Sequence, residues 1–231
     1  MEIQEDETLR TETMQWEEPC RKIVIKGLSF YDSALCDITI ENGSSISVET
    51  TLPEALYEEY GFTVSLRDGI LLLTTAEERE FSSEVFTKIR ITAPFDTLEV
   101  EGEFVVSVDA AGMENFHLLS QEYAVVAVQN LNTQMTEVAA SGGSEIYLSG
   151  KTAMFSGRSK EMSEIYARNL ISSEADLDVS GMGEITLSVE DLLQVDISGF
   201  SDVFYYGNPS VREATSGLGT VTQKAVWTPT A

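Results

Sequence analysis

From Glu137 to Lys224 the chain repeats itself, and this repeat constrains the fold more than any other feature. A small-residue step, usually Ser-Gly, precedes an acidic residue, a β-branched aliphatic and an alternating run. The copies are Ser141-Gly142-Gly143-Ser144-Glu145-Ile146, Ser180-Gly181-Met182-Gly183-Glu184-Ile185, Ser198-Gly199-Phe200-Ser201-Asp202-Val203 and Ser216-Gly217-Leu218-Gly219-Thr220-Val221. Lys160-Glu161-Met162-Ser163-Glu164-Ile165 is a degenerate copy, and Ser120-Gln121 with Val125-Val126-Ala127-Val128 is an earlier one. The aliphatic falls at 146, 165, 185, 203 and 221, spacings of 19, 20, 18 and 18 residues. A period of that length with strand alternation and no helical period predicts a β-solenoid whose coils stack on one another. We count seven coils between Leu98 and Lys224.

Alternation sorts the residues of each coil. Ile146/Leu148, Ile165/Ala167, Ile185/Leu187 and Val203/Tyr205 point inward and should stack as aliphatic ladders. Glycine in the Ser-Gly step permits a sharp corner, so Gly142, Gly181, Gly199 and Gly217 are expected in equivalent bends with positive φ. Asn130-Leu131, Asn169-Leu170 and Asp191-Leu192 suggest a second corner, with a polar residue before an inward leucine. On the outside, Glu145, Glu164, Glu184 and Asp202 form an acidic column. Like charges in one column either splay into water or are neutralised by a cation, which leaves a weak Ca²⁺ site as one expectation. Beside them Tyr147, Tyr166, Thr186 and Phe204 form a partly aromatic stripe. Such a stripe is either a ligand-contact surface or is covered by the N-terminal segment.

The earlier half also reads as β. Ile23-Val24-Ile25, Cys36–Ile40 and Ile46-Ser47-Val48 are strand-like, and Asn42-Gly43 is a tight-turn dipeptide. Pro53–Tyr60 is a short helix candidate, and Phe62–Leu66 with Ile70–Leu73 make a hairpin around Asp68-Gly69. The expected organisation is a flexible acidic leader over 1–22, an N-terminal β region over 23–95 and the repetitive β-helix over 96–226. One continuous domain then runs from 23 to 226.

Charge bounds the partners. Fourteen basic against 39 acidic residues give a net charge of −25, which excludes a phosphate-backbone partner. No apolar run approaches bilayer length. Met1–Glu7 lacks the basic and apolar regions of a signal peptide, and it reads as a linker left when an export signal is removed. Cys20 and Cys36 either pair in one disulfide or stay as buried thiols. His117 is the sole histidine and reads as a structural strand residue. No nucleophile elbow, phosphate loop or dinucleotide motif is present. Lys151 and Arg168 are the cations on coil faces near the acidic column, and no acid–base cluster recurs at the repeat spacing. No catalytic residue and no cofactor is therefore expected.

The repeat, its ending Asp202-Val203-Phe204-Tyr205-Tyr206-Gly207-Asn208-Pro209, and the upstream Asp37–Gly43, Arg67–Leu71 and Ile89–Pro94 resemble a bacterial family of unknown function. That family is described as "putative auto-transporter adhesin, head GIN domain", and the resemblance runs from about Ile23 to Lys224. It implies an all-β, right-handed parallel β-helix of about 18–21 residues per coil, with N-terminal strands and hairpins packing on or extending it. It also implies an exported protein at the cell surface, in the periplasm or secreted, and it brings no catalytic residues. The first functional expectation is a non-enzymatic extracytoplasmic module for adhesion or surface scaffolding. It would bind a surface glycan or protein on a lateral face without a deep pocket. The alternatives are a carbohydrate-active β-helix enzyme (a polysaccharide lyase or hydrolase) and a cell-envelope module binding a protein partner, with self-association a further partner expectation.

Overall fold

A computed structural model describes residues 8–29, 36–76 and 87–225. In chain order the elements are β1 (Leu9–Trp16), β2 (Lys22–Ser29), β3 (Cys36–Asn42), β4 (Ile46–Pro53), α1 (Glu54–Glu58), β5 (Thr63–Arg67), β6 (Ile70–Thr74) and β7 (Thr87–Ala93). There follow β8 (Thr97–Glu103), β9 (Val105–Asp109), β10 (Asn115–Glu122), β11 (Val125–Ala140), β12 (Glu145–Ser159), β13 (Glu164–Gly181), β14 (Glu184–Gly199), β15 (Asp202–Tyr206), β16 (Ser210–Gly217) and β17 (Thr220–Gln223). They wind into a β-solenoid of about six turns. The seven coils counted from the sequence are the seven successive rungs from β8 to β16. Six turns separate the first from the last.

Two parallel faces result. The first runs β3-β9-β11-β12-β13-β14-β15-β17, and the second runs β2-β8-β10-β11-β12-β13-β14-β16. The long strands β11 to β14 bend and contribute to both. The N-terminal strands extend this stack. β6 pairs with β2, β7 with β3, and the antiparallel β5, β4 and β1 close that end.

The predicted ladder is continuous. Ile38, Val106, Val126, Ile146, Ile165, Ile185 and Val203 are each fully buried and pair in register along the first face. Stacking identical positions removes apolar surface from water rung after rung, which is the main stabilising term of a solenoid. Phe116, Val138, Leu177 and Val195 are buried from the second face.

The corners joining second face to first form one backbone column: Gly102, Glu122, Gly142, Glu161, Gly181, Gly199 and Gly217. Every member has positive φ, from 62° at Glu161 to 141° at Gly102. Where the Ser-Gly signature lapses, the bend persists with a glutamate in the left-handed region, at about 1–2 kcal/mol per residue. The Glu161 carboxylate offsets part of that by accepting the Gly142 N–H at 2.8 Å.

Three expectations change. The leader is not free chain throughout, because residues 9–16 form β1 on β4; residues 1–7 lie outside the described residues. Asn42-Gly43 does not close a hairpin. β7 lies between β3 and β4, neither residue has positive φ, and the Gly43 N–H donates to Ala93 O at 3.0 Å. At the second corner Leu131 and Leu170 are buried, but Leu192 pairs with Glu174 and is only half-buried, so Asp191-Leu192 is not an equivalent bend.

Candidate functional site

Outward residues inherit the register of the ladder beside them. Ala127, Tyr147, Tyr166, Thr186 and Phe204 therefore occupy successive rungs of the first face, with Ser107 preceding Ala127. The Tyr147 and Tyr166 rings stack with centroids 4.9 Å apart and planes 16° from parallel. Each ring thus covers one face of the other. The small side chains of Ala127 and Ser107 on the next two rungs leave the second face of Tyr147 open.

This opening is part of a cleft of about 590 Å³, lined by Tyr147, Tyr166, Thr186, Ala127, Arg168 and Tyr206 with polar Ser107, Gln129, Ser149 and Asn169. The volume lies within the range of small-molecule sites, so the lateral face is not flat. Its far wall comes from an irregularity in the repeat. The β13–β14 register shifts between Ala167 and Ile171; of the three extra residues Arg168 and Asn169 are exposed, and Leu170 is buried. Bulges re-aim side chains in this way. The Arg168 carbonyl accepts the Ser188 hydroxyl at 2.7 Å, and its guanidinium carbon sits 4.5 Å from the Tyr206 ring centroid.

Three of the four predicted stripe residues, Tyr147, Tyr166 and Thr186, line the cleft. Phe204 does not; the Lys224 ammonium lies over its ring at 3.8 Å. Among the described residues, the N-terminal segment does not cover the stripe. β1 lies six strands from β12 along the sheet, about 29 Å at ordinary strand spacing.

The acidic column is also in register: Glu145, Glu164, Glu184 and Asp202 pair across β12 to β15. Each carboxylate serves as an acceptor. Glu145 takes the Tyr147 hydroxyl at 2.8 Å, Glu164 that of Tyr166, and Glu184 the Thr186 hydroxyl at 3.1 Å. Asp202 takes the Thr220 hydroxyl at 2.6 Å. The column therefore anchors the neighbouring stripe. Hydrogen bonding to these carboxylates, with a smaller contribution from burial, raises the Tyr147 and Tyr166 phenol pKa values, so both remain donors at neutral pH. No three His, Cys, Asp or Glu side chains among the described residues are grouped to hold a metal ion. Among the described residues no Asp or Glu lines the cleft.

The family model described as "Putative auto-transporter adhesin, head GIN domain" matches residues 33–209. The chain belongs to this family. Solved structures with the same fold include a putative adhesin of Bacteroides fragilis, at 21% identity over 96% of this chain and 100% of that one, TM-score 0.80. A putative adhesin of Parabacteroides merdae matches at 16% identity over 95% and 98%, TM-score 0.65. A putative lipid binding protein of Parabacteroides distasonis matches at 14% identity over 93% and 97%, TM-score 0.62. No curated protein matches the chain.

This head GIN domain has a second surface feature, one that alternation did not reveal. The residue after each corner is held in column by bonds such as Met182 N–H to Glu161 O at 2.7 Å and Phe200 N–H to Gly181 O at 2.8 Å. Tyr123, Met162, Met182, Phe200 and Leu218 stand in that column, with Gly143 between the first two, and each of the five is more than half exposed. The signal was the apolar residue in Ser-Gly-x at Met182, Phe200 and Leu218.

The remaining singled-out residues are structural. His117 Nδ1 lies 3.2 Å from Glu137, which also accepts Arg158. Cys20 and Cys36 are free and buried, and burial pushes the Cys36 thiol up to about 12. No helix among the described residues is long and apolar enough to cross a membrane.

Proposed function

We propose that this head GIN domain is a non-enzymatic, extracytoplasmic adhesion module that holds a surface glycan in the lateral cleft of its first face. The observation that carries this reading is the stacked Tyr147–Tyr166 pair, whose open ring face borders a cleft that mixes apolar Ala127, Val128 and Leu148 with hydroxyls, amides and one guanidinium. Sugars present an apolar C–H face and a polar rim, and an aromatic platform edged by hydrogen-bonding groups matches both. The adhesin naming of the family and of two of its structural neighbours supports the same reading. The carbohydrate-active enzyme has less support. Glycoside hydrolysis uses two carboxyl groups flanking the bond, and among the described residues the cleft lining contains none.

The test is retention of the purified domain on a printed glycan array. The wild-type chain is expected to be retained by a discrete set of glycans. Ala127→Tyr, which fills the open side of the Tyr147 ring with another outward ring, should lose at least tenfold in retention while its melting temperature stays within about 3 °C, as for a surface substitution. Unaltered retention in that variant would place the ligand elsewhere.

A further inference from the structure

Resting on the glycan reading of the cleft, we infer that its ligand is a saccharide carrying one isolated carboxylate, read by Arg168. The inference starts from a charge anomaly. The chain carries 39 acidic residues against 14 basic ones, yet among the described residues the only charged side chain lining the cleft is a guanidinium. Arg168 makes no ion pair among the described residues, although Glu145, Glu164 and Glu184 stand in the column on the other side of the tyrosines. Those carboxylates accept hydrogen bonds from Tyr147, Tyr166 and Thr186.

Arg168 is held in place rather than dangling. Its backbone is fixed in the β13 bulge by the Ser188 hydroxyl, and its guanidinium carbon lies over the Tyr206 ring. Stacking uses the face of the guanidinium and leaves the N–H edge free, and that edge matches a carboxylate bidentately. The cleft is thus electrically polarised. One wall bears the tyrosines, backed by acids, and the other bears Arg168. A pyranose packed on Tyr147 with its carboxylate toward Arg168 follows this polarity. A polyuronate, charged at every unit, would set further carboxylates against the acidic column and a surface of net −25. A wholly neutral sugar would leave the guanidinium unused.

The test measures affinities by calorimetry or array titration for matched oligosaccharides in the gluco, galacto and manno series. Each series comprises a neutral trisaccharide, the same trisaccharide with one terminal hexuronate, and the all-uronate trimer. The expected result, in at least one series, is that the mono-uronate binds roughly tenfold to a hundredfold tighter than its neutral counterpart, the range of a charge-assisted hydrogen-bond pair. The all-uronate form should bind more weakly than the mono-uronate. Arg168→Gln should erase the preference while retaining the neutral sugar. Arg212→Gln, the same charge change on exposed β16, should leave the preference intact. Equal binding of neutral and mono-uronate forms overturns the inference and leaves the glycan reading standing, as does a preference that survives in Arg168→Gln. Binding of no member in any series overturns both.

Discussion

Gly181→Val is expected to cost at least 3 kcal/mol and to cut the yield of folded protein sharply. Gly181 sits at φ +91°, and a Cβ there would lie 2.6 Å from the Glu161 carbonyl oxygen and 2.7 Å from the Glu161 nitrogen. Both are backbone atoms of the neighbouring coil, so no side-chain rotation relieves the contact. A β-branched residue also suffers most in the left-handed region. The glutamates at 122 and 161 show that the corner tolerates a side chain where the next rung leaves room. The loss predicted at Gly181 is therefore specific to its packing. Urea unfolding of the variant checks it, and a loss below about 1 kcal/mol would show that the coils are not as closely apposed as described.

Ile185→Ala is expected to destabilise by about 2–5 kcal/mol, from lost burial plus the cavity left behind. Ile185 is fully buried between Ile165 and Val203 in the ladder, and its β-strand neighbours cannot collapse onto the gap without breaking register. A repeat protein transmits such a defect mainly to nearest neighbours. Amide exchange should accordingly rise first in β13, β14 and β15. A loss under 1 kcal/mol, or exchange unaltered in those strands, would contradict the stacking.

The ladder was legible because a period set by strand stacking puts the same aliphatic at the same place in each coil. Ile146, Ile165, Ile185 and Val203 needed only the Ser-Gly spacing to be aligned. Tyr147, Tyr166 and Thr186 followed by alternation alone. The features that escaped are those in which the period breaks. Arg168 and Asn169 lie where the β13–β14 register shifts, at the same corner as Gln129 and Asn130, where the β11–β12 register shifts. A one-dimensional repeat shows the insertion but not the direction in which it bulges, so the Arg168–Tyr206 wall was not visible. Strand β1 escaped for a different reason. It closes one end of the solenoid with much of its surface exposed, so its sequence Leu-Arg-Thr-Glu-Thr-Met-Gln-Trp is polar and reads as linker. Asn42-Gly43 misled because a local turn preference yielded to a long-range pairing: β7, far along the chain, inserts between the strands that the dipeptide would have joined. The corner ridge at Met182 and Phe200 was in plain sight, but the variable x of a repeat reads as filler until the structure shows it exposed and aligned.

The central claim is that the outer tyrosines serve binding and the inner ladder serves the fold. It is tested most directly by measuring glycan retention and thermal stability on one protein, Tyr147→Ser/Tyr166→Ser. The stacked pair contributes about 0.5–1.5 kcal/mol beyond its burial, and the phenol–carboxylate bond of Tyr147 is exposed while that of Tyr166 is half-buried. The account therefore predicts that retention on the array disappears while the melting temperature falls by no more than about 5 °C. Retention that persists, or a fall of more than about 10 °C, would contradict it, because the tyrosines would then be either irrelevant to binding or part of the structural core.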